Sequence, residues 1–526
     1  MSTTPVPRSV DDVAARAAAA APALAATPPA QLAAGLRAAA AALRSDADRL
    51  VVLAARETGL APAPRLRGEL ERTAVQLELF SEVALDGSHL DVRIDEADPD
   101  FRPVPRPDLR RMLVPLGPVL VFAASNFPFA FSVAGGDTAA ALAAGCPVVV
   151  KAHPGHPQLS VAVGEVVRAA LEGAGLPADA LQVAGVPGVD AADDAAVAAG
   201  VALLRDERIA AASFTGSQRA GRHLADVAAA RRRPIPFYGE LGSTNPVVVT
   251  EGALAAATAD GGDGFAAAYA ASATGSAGQL CTQPGFVFVP RGALDADGGA
   301  LRDALERAFS AVAEHRLLHP GIAAGYAARR TEVLGSDGVD VVVEGGVRTD
   351  DDGGAWATPT LVRTTLQALL AGGHDLRDEA FGPLSVLVEH PGVDALAAAV
   401  PDLYEGELTA GLHVTPDEAG RPEVARLVAA LSGVAGRVLF NGWPTGVSVT
   451  PAMQHGGPYP ATTDAGRTTS VGTAAVARFL RPVAFQDAPQ AVLPPALRDD
   501  DPWGVPRTVS RAGESARWGA SEATGS

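Results

Sequence analysis

Residues 117–151 read GPVLVFAASNFPFAFSVAGGDTAAALAAGCPVVVK. The run at 117–124 is apolar without alternation, which predicts a strand covered on both faces. Small helix-forming residues follow at 136–144, and Pro147-Val148-Val149-Val150-Lys151 predicts a second buried strand. Strand, helix and strand in that order predict parallel pairing with a helical crossover. Asn126 sits in the turn after the first strand, and Lys151 closes the second.

Working outward, the pattern repeats. It predicts a helix at 160–173, a strand at 181–184, a strand ending at Ser213 and Phe214, a helix at 218–230, and strands near 236–240 and 246–249. A second α/β region is expected at 242–444, with a helix at 264–274 and a strand at 285–289. On the amino side, residues 10–85 read as alanine- and leucine-rich helices, the first ended or kinked at Pro22. Residues 88–113 turn polar, proline-punctuated and β-like, as an arm leaving the body would. The last stretch, 499–526, is polar and small, and poor order is expected there, at least beyond Arg511.

The chain has 526 residues, 48% of them hydrophobic and 19% charged, which predicts more than one folded core. A net charge of −18 repels polyanions, so nucleic acid is not an expected partner. The run Arg231-Arg232-Arg233 is read as a solvated loop. No apolar run reaches the roughly 18 residues of a membrane span, and Asp11 and Asp12 before the alanine run at 17–21 are wrong for a secretory leader. With two cysteines, Cys146 and Cys281, no disulfide framework is expected and a reducing cytoplasm is the natural setting. No metal-ligand spacing is present, and no metal is expected. Lysine occurs once, at Lys151, where a compact ammonium suits a space too tight for a guanidinium.

Cys281 lies in Gly278-Gln279-Leu280-Cys281-Thr282-Gln283-Pro284-Gly285, a loop between helix and strand. A thiol there is accessible, and its ordinary pKa of about 8.5 needs only modest lowering for nucleophilic work. Cys146, immediately before a buried strand, is expected to pack as a small hydrophobe.

Read together, Ser125-Asn126-Phe127-Pro128-Phe129, Val149-Val150-Lys151, Phe214-Thr215-Gly216-Ser217, Gly239-Glu240-Leu241-Gly242-Ser243-Thr244-Asn245-Pro246, the cysteine loop, and Glu379-Ala380-Phe381-Gly382-Pro383 resemble the aldehyde dehydrogenase superfamily. The resemblance implies a Rossmann-type dinucleotide-binding domain (1–87 and 114–241), a second α/β catalytic domain (242–444), and a small β oligomerisation arm (88–113 and 470–490). It implies that Cys281 attacks the aldehyde carbon to give a thiohemiacetal and then a thioester. Asn126 would face the oxyanion, and Glu240 would activate the hydrolytic water. Acylating relatives that use coenzyme A typically lack that glutamate, so release of free acid is favoured. Lys151, Gly216, Ser217, Glu379 and Phe381 match positions that hold the dinucleotide, with Gly216 and Ser217 placing a backbone N–H and a hydroxyl at a helix N-terminus against the pyrophosphate.

Where NAD-preferring members carry Lys-Pro-x-Glu, this chain has Lys151-Ala152-His153-Pro154, so NADP is the expected cofactor, with NAD possible. His153 and His156 are open to two readings, turn residues or phosphate contacts. The finer pattern, including Met453-Gln454-His455-Gly456-Gly457-Pro458-Tyr459-Pro460, resembles the α-ketoglutaric semialdehyde (2,5-dioxovalerate) dehydrogenase subgroup. The alternative is an NADP-linked fatty aldehyde dehydrogenase, which has an active-site histidine matched here to His455. That residue is read equally as a tuner of thiol or water and as a loop residue. A homodimer or homotetramer is implied. A cysteine hydrolase lacks a local histidine base, and a non-catalytic structural relative would have no use for Cys281, Glu240 and Asn126 together.

Overall fold

The computed structural model describes residues 9–184, 194–372, 376–464 and 466–514. The strands Leu181–Ala184, Val148–Lys151, Val119–Phe122, Ala211–Thr215 and Phe237–Glu240 lie side by side in that order and all run parallel. Successive strands step outward from Val119–Phe122 to one side. The chain then returns to its other side at Ala211–Thr215, so the winding reverses between those two strands. A crevice opens at the carboxyl ends of the strands at such a reversal.

The helix Gly136–Ala143 packs on this sheet with Ala139, Ala140, Ala141, Leu142 and Ala143 buried. Alanine carries the helix without side-chain entropy loss and lets its backbone approach the sheet closely. Cys146 is fully buried in the same core.

A second, seven-stranded sheet runs in the order Asp340–Val343, Thr360–Thr365, Leu384–His390, Phe286–Pro290, Val247–Val249, Glu407–His413, Ala435–Phe440. Only Asp340–Val343 is antiparallel to its neighbour. Beyond residue 444 the chain crosses back to the first sheet. There Leu241 N–H donates to the Ala461 carbonyl at 2.8 Å, and Glu240 forms an isolated bridge with Thr462.

The first helix does not stop at Pro22 but runs Val10–Ala25. Pro22 is exposed, Ala26 N–H reaches its carbonyl at 3.2 Å, and buried Leu24 anchors the final turn, so the lost donor faces water. The Arg231-Arg232-Arg233 run is likewise only partly solvated, because Arg231 is buried and donates to the Asp206 carbonyl at 2.8 Å.

The expected disorder of 499–526 is corrected for 499–514, while 515–526 lie outside the described residues. Arg507–Ser510 pairs in parallel with Val92–Asp95, completing a four-stranded sheet with Leu109–Pro115 and Leu480–Gln486. Val505 and Leu497 are buried with Val92, Ile94 and Met112, and Arg110 holds the Leu497 carbonyl at 2.8 Å. These few apolar contacts are long-range in sequence, which is why a polar composition concealed them.

Among the described residues no helix is long and apolar enough to cross a membrane, and no group of three or more His, Cys, Asp or Glu is placed to hold a metal ion.

Candidate active site

Two edges face each other. From the first sheet come the carboxyl ends, carrying Asn126, Lys151, Gly216, Ser217 and Glu240. From the second come the amino ends, with Asn245 before Val247–Val249, Cys281 before Phe286–Pro290, Glu379 before Leu384–His390, and Glu407 opening Glu407–His413.

The loop before Cys281 is held in an unusual backbone. Ser276, Ala277 and Gly278 have φ of 52°, 56° and 65° in succession, and two of the three carry a Cβ that disfavours this region. At 278 only glycine fits, since a Cβ would meet the Gly382 carbonyl oxygen at 2.3 Å. Gln279, fully buried, holds the turn by donating to the Ser276 carbonyl at 3.0 Å and accepting from Leu318 N–H at 2.9 Å.

Asn245 Nδ2 donates to the carbonyls of Cys281 and Gln283, each at 2.9 Å. Buried Glu407 in turn fixes Asn245. Its Oε2 accepts from Ser243 Oγ and Thr244 N–H at 2.6 Å and from Asn245 N–H at 3.0 Å. Glu407→Gln would point an amide donor at some of these donors. Denaturant titration is expected to read a loss of about 2–4 kcal/mol; an unchanged midpoint would show that the cluster tolerates an amide.

Cys281, Glu240 and His455 converge. His455 Nε2 stands 3.6 Å from Cys281 Sγ and 3.7 Å from Glu240 Oε2. His455 is buried and fixed through its backbone, its N–H on Thr469 Oγ1 at 2.9 Å and its carbonyl on Ser470 N–H at 2.8 Å. Its Nδ1 and Glu240 Oε2 are buried polar atoms without a hydrogen-bond partner among the described residues, a pattern that concentrates at working sites. Burial pushes the Cys281 thiol up to about 12, with Glu240 and Glu379 adding to the rise and Arg72 opposing it. Burial likewise holds the Glu240 carboxyl well above its ordinary value. It also pushes His455 down to about 3, helped by Arg437 and Arg72, so His455 is neutral near pH 7.

Asn126 is buried beside the cysteine loop, and its amide donates to the Gln279 carbonyl at 3.0 Å. The second amide hydrogen of Nδ2 is the one left for another acceptor. Its own loop is clamped from the helix Arg67–Asp86, where Glu69 Oε1 accepts from Phe129 N–H at 2.8 Å and Ala130 N–H at 2.9 Å. Arg65 pairs with Glu69 and donates to the Asn126 carbonyl at 2.8 Å.

On the other side of the crevice, Lys151 is half-buried, and its side chain has no ion pair or hydrogen bond among the described residues. Burial pushes it down to about 8. Ser217 is the N-cap of the helix Gln218–Ala229, its Oγ accepting from Ala220 N–H at 3.3 Å. The expectation for Gly216 needs correction: its N–H already donates to the Glu240 carbonyl at 3.0 Å, because the ladder between these strands extends one residue past Thr215. The Glu379 carboxylate lies against Gly242, where a Cβ would meet Oε2 at 2.2 Å, and burial pushes it up to about 8. Phe381 is half-buried in the same loop. His156 holds a turn, its Nε2 on the Ala124 carbonyl at 2.8 Å, and His153 Nδ1 accepts from Gly155 N–H at 3.0 Å.

Sequence reading missed Glu69 and Glu407. Glu69 follows Arg65 by four positions and looks like an ordinary surface helix pair. Glu407 heads a strand with no local sign of the loop it serves.

A family model described as "Aldehyde dehydrogenase family" matches residues 6–458. Alpha-ketoglutaric semialdehyde dehydrogenase 2 of Azospirillum brasilense is 43% identical over 462 residues, 88% of this chain and 83% of that protein. Alpha-ketoglutaric semialdehyde dehydrogenase of Acinetobacter baylyi is 40% identical over 466 residues, covering 88% and 83%. Among solved structures, an NAD-dependent aldehyde dehydrogenase from Sinorhizobium meliloti superposes with a TM-score of 0.73 at 22% identity, over 92% of this chain and 88% of that one. The chain belongs to the aldehyde dehydrogenase family, whose members oxidise aldehydes with NAD or NADP.

Proposed function

We propose that the protein oxidises 2,5-dioxopentanoate (α-ketoglutaric semialdehyde) to 2-oxoglutarate with NADP. The observation that carries the chemistry is the convergence of Cys281, His455 and Glu240 within 3.6 and 3.7 Å. The identities of 43% and 40% to α-ketoglutaric semialdehyde dehydrogenases support the substrate.

In this reading the Cys281 thiolate attacks the aldehyde carbon, forming a C–S bond, and the former carbonyl oxygen becomes an oxyanion. The Asn126 amide faces that oxygen as a neutral donor, so the charge is stabilised without being locked in a salt. Collapse of the thiohemiacetal restores the C=O bond as the C–H bond breaks and hydride leaves that carbon, so a thioester remains on Cys281. Glu240 then takes a proton from water, whose oxygen attacks the thioester. The C–S bond breaks, the acid leaves and the thiol is restored.

The cofactor, when bound, supplies the hydride acceptor and a positive charge near the thiol. The residues fit it: Lys151 and Glu379 for the two ribose ends, and Ser217 with the N-terminus of its helix for the pyrophosphate. NADP is favoured because no carboxylate follows Lys151 in Ala152-His153-Pro154, and its ammonium has no ion pair among the described residues, so it can meet a 2′-phosphate. NAD would bind without that contact.

We further infer a cytoplasmic homodimer or homotetramer. Among the described residues the small sheet ends on two open edges, Leu480–Gln486 and Arg507–Ser510, and edges of that kind favour pairing with a partner.

Reduced-cofactor formation with 2,5-dioxopentanoate and with a long-chain aldehyde, each with NADP and NAD, tests the reading. The dioxo acid with NADP is expected to win by roughly tenfold or more in kcat/KM. A preference for the long-chain aldehyde would move the protein to the fatty aldehyde reading, and a preference for NAD would remove the 2′-phosphate contact given to Lys151.

A further inference from the structure

Three arginines stand near the catalytic loop, and they differ in how their charge is met. Arg65 is neutralised by Glu69 and donates to Ser276 Oγ at 3.3 Å. Among the described residues Arg437 meets neutral acceptors, the Gly446 and Pro444 carbonyls at 3.0 and 3.1 Å, although its Nε is also a buried donor without a partner. Arg72 meets no acceptor among the described residues. It is half-buried on the helix Arg67–Asp86, and its side chain has no ion pair or hydrogen bond among the described residues. Its Nε is a buried donor without a partner.

Its surroundings explain how the charge is tolerated and what it serves. The guanidinium stands 5.8 Å from the ring centres of both Phe127 and Phe131, and Phe131 is 6.4 Å from the His455 ring that touches Cys281. Aromatic faces offset part of the lost hydration, but a guanidinium keeps five donors in a planar fork, and rings accept none of them in the plane. The fork therefore stands beside the Phe131 ring, which faces the His455 ring in contact with the thiol, in a partly desolvated space. Burial and the facing charges agree, since Arg72 opposes the rise of the Cys281 thiol and depresses His455.

We propose that Arg72 is the specificity residue that receives the carboxylate of the substrate, holding it in a forked contact on the Phe127–Phe131 shelf while the aldehyde carbon reaches Cys281. This rests on the reading of the substrate as a short oxo acid. In 2,5-dioxopentanoate the carboxylate carbon is four bonds from the aldehyde carbon, so one end anchors as the other reacts. Planar bidentate contact with a carboxylate is the arrangement arginine makes best. A long apolar aldehyde would leave the fork unmet.

The test compares kcat/KM for 2,5-dioxopentanoate and for pentanal, neutral and of equal length, in wild type, Arg72→Met and Arg72→Lys. The ratio of the two values is expected to fall about 10²-fold in Arg72→Met, mainly through KM for the acid, and about tenfold in Arg72→Lys, which keeps charge and loses the fork. An unchanged ratio overturns the inference. That includes equal losses on both aldehydes, which would mark Arg72 as serving the thiol or the fold. If wild type itself prefers pentanal, the substrate reading fails first and takes the inference with it. Should Arg72→Met not fold, the Arg72→Lys ratio decides alone.

Discussion

Cys281→Ala is expected to lose aldehyde-dependent formation of reduced cofactor by roughly 10⁴-fold or more in kcat/KM. The reason is covalent. Without sulfur no thiohemiacetal forms, and hydride has no activated carbon to leave. The other cysteine offers no substitute, because Cys146 is fully buried, its Sγ lies 3.4 Å from the Phe479 carbonyl, and burial pushes its thiol up to about 11. Cofactor binding, followed by fluorescence, should persist in the variant, since Lys151, Ser217 and Glu379 stand on other segments. In the wild type, burial pushes the Cys281 thiol up to about 12, so iodoacetamide labelling of the cofactor-free enzyme should be slow at pH 7 and quicken as pH rises. Wild-type turnover in Cys281→Ala would end the thioester reading outright.

The parts of this protein that were legible in its sequence are those written locally. The strands at 119–122 and 148–151 are covered on both faces, so they appear as unbroken apolar runs around an alanine helix. Cys281 and Glu240 stand beside glycines and strand ends, where a polar residue in an apolar context is conspicuous. What was not legible depends on distance along the chain. Glu407 reaches back more than 160 positions to fix Asn245, and nothing near it in sequence announces the loop it holds. Glu69 clamps Phe129 and Ala130 from a helix whose local pattern reads as surface. The Arg507–Ser510 strand exists only because Val92–Asp95 offers it an edge, so a window over the tail sees small polar residues and no sheet. Gly216 shows the opposite error. Its place beside the crevice agrees with the motif, yet a ladder bond to Glu240 uses the N–H that the motif would give to phosphate.

Glu240→Gln is expected to separate the two halves of the reaction. Hydride loss and thioester formation do not need the carboxylate, whereas hydrolysis does, so the variant should give a burst of about one reduced cofactor per site. Turnover should then be lower by roughly 10²–10⁴-fold. Mass spectrometry of the stalled protein should find the acyl group on Cys281.

The pH behaviour follows from burial. The wild-type carboxyl lies well above its ordinary value, so the active base is lost, as pH falls, earlier than a solvated glutamate would be. This acid limb should vanish from the residual turnover of Glu240→Gln. The same shift has a stability sign. Between the unfolded value, about 4.3, and the raised folded value, the folded chain holds a proton that the unfolded chain has released, so stability falls as pH rises through that window. Above that window's lower end the buried carboxyl is then a cost that glutamine lacks, and at neutral pH wild type carries it. The variant should melt above wild type at pH 7, with the gap closing towards pH 4. A variant that is slower yet melts lower, with no burst, would mean that Glu240 holds the strand end and that another group activates the water.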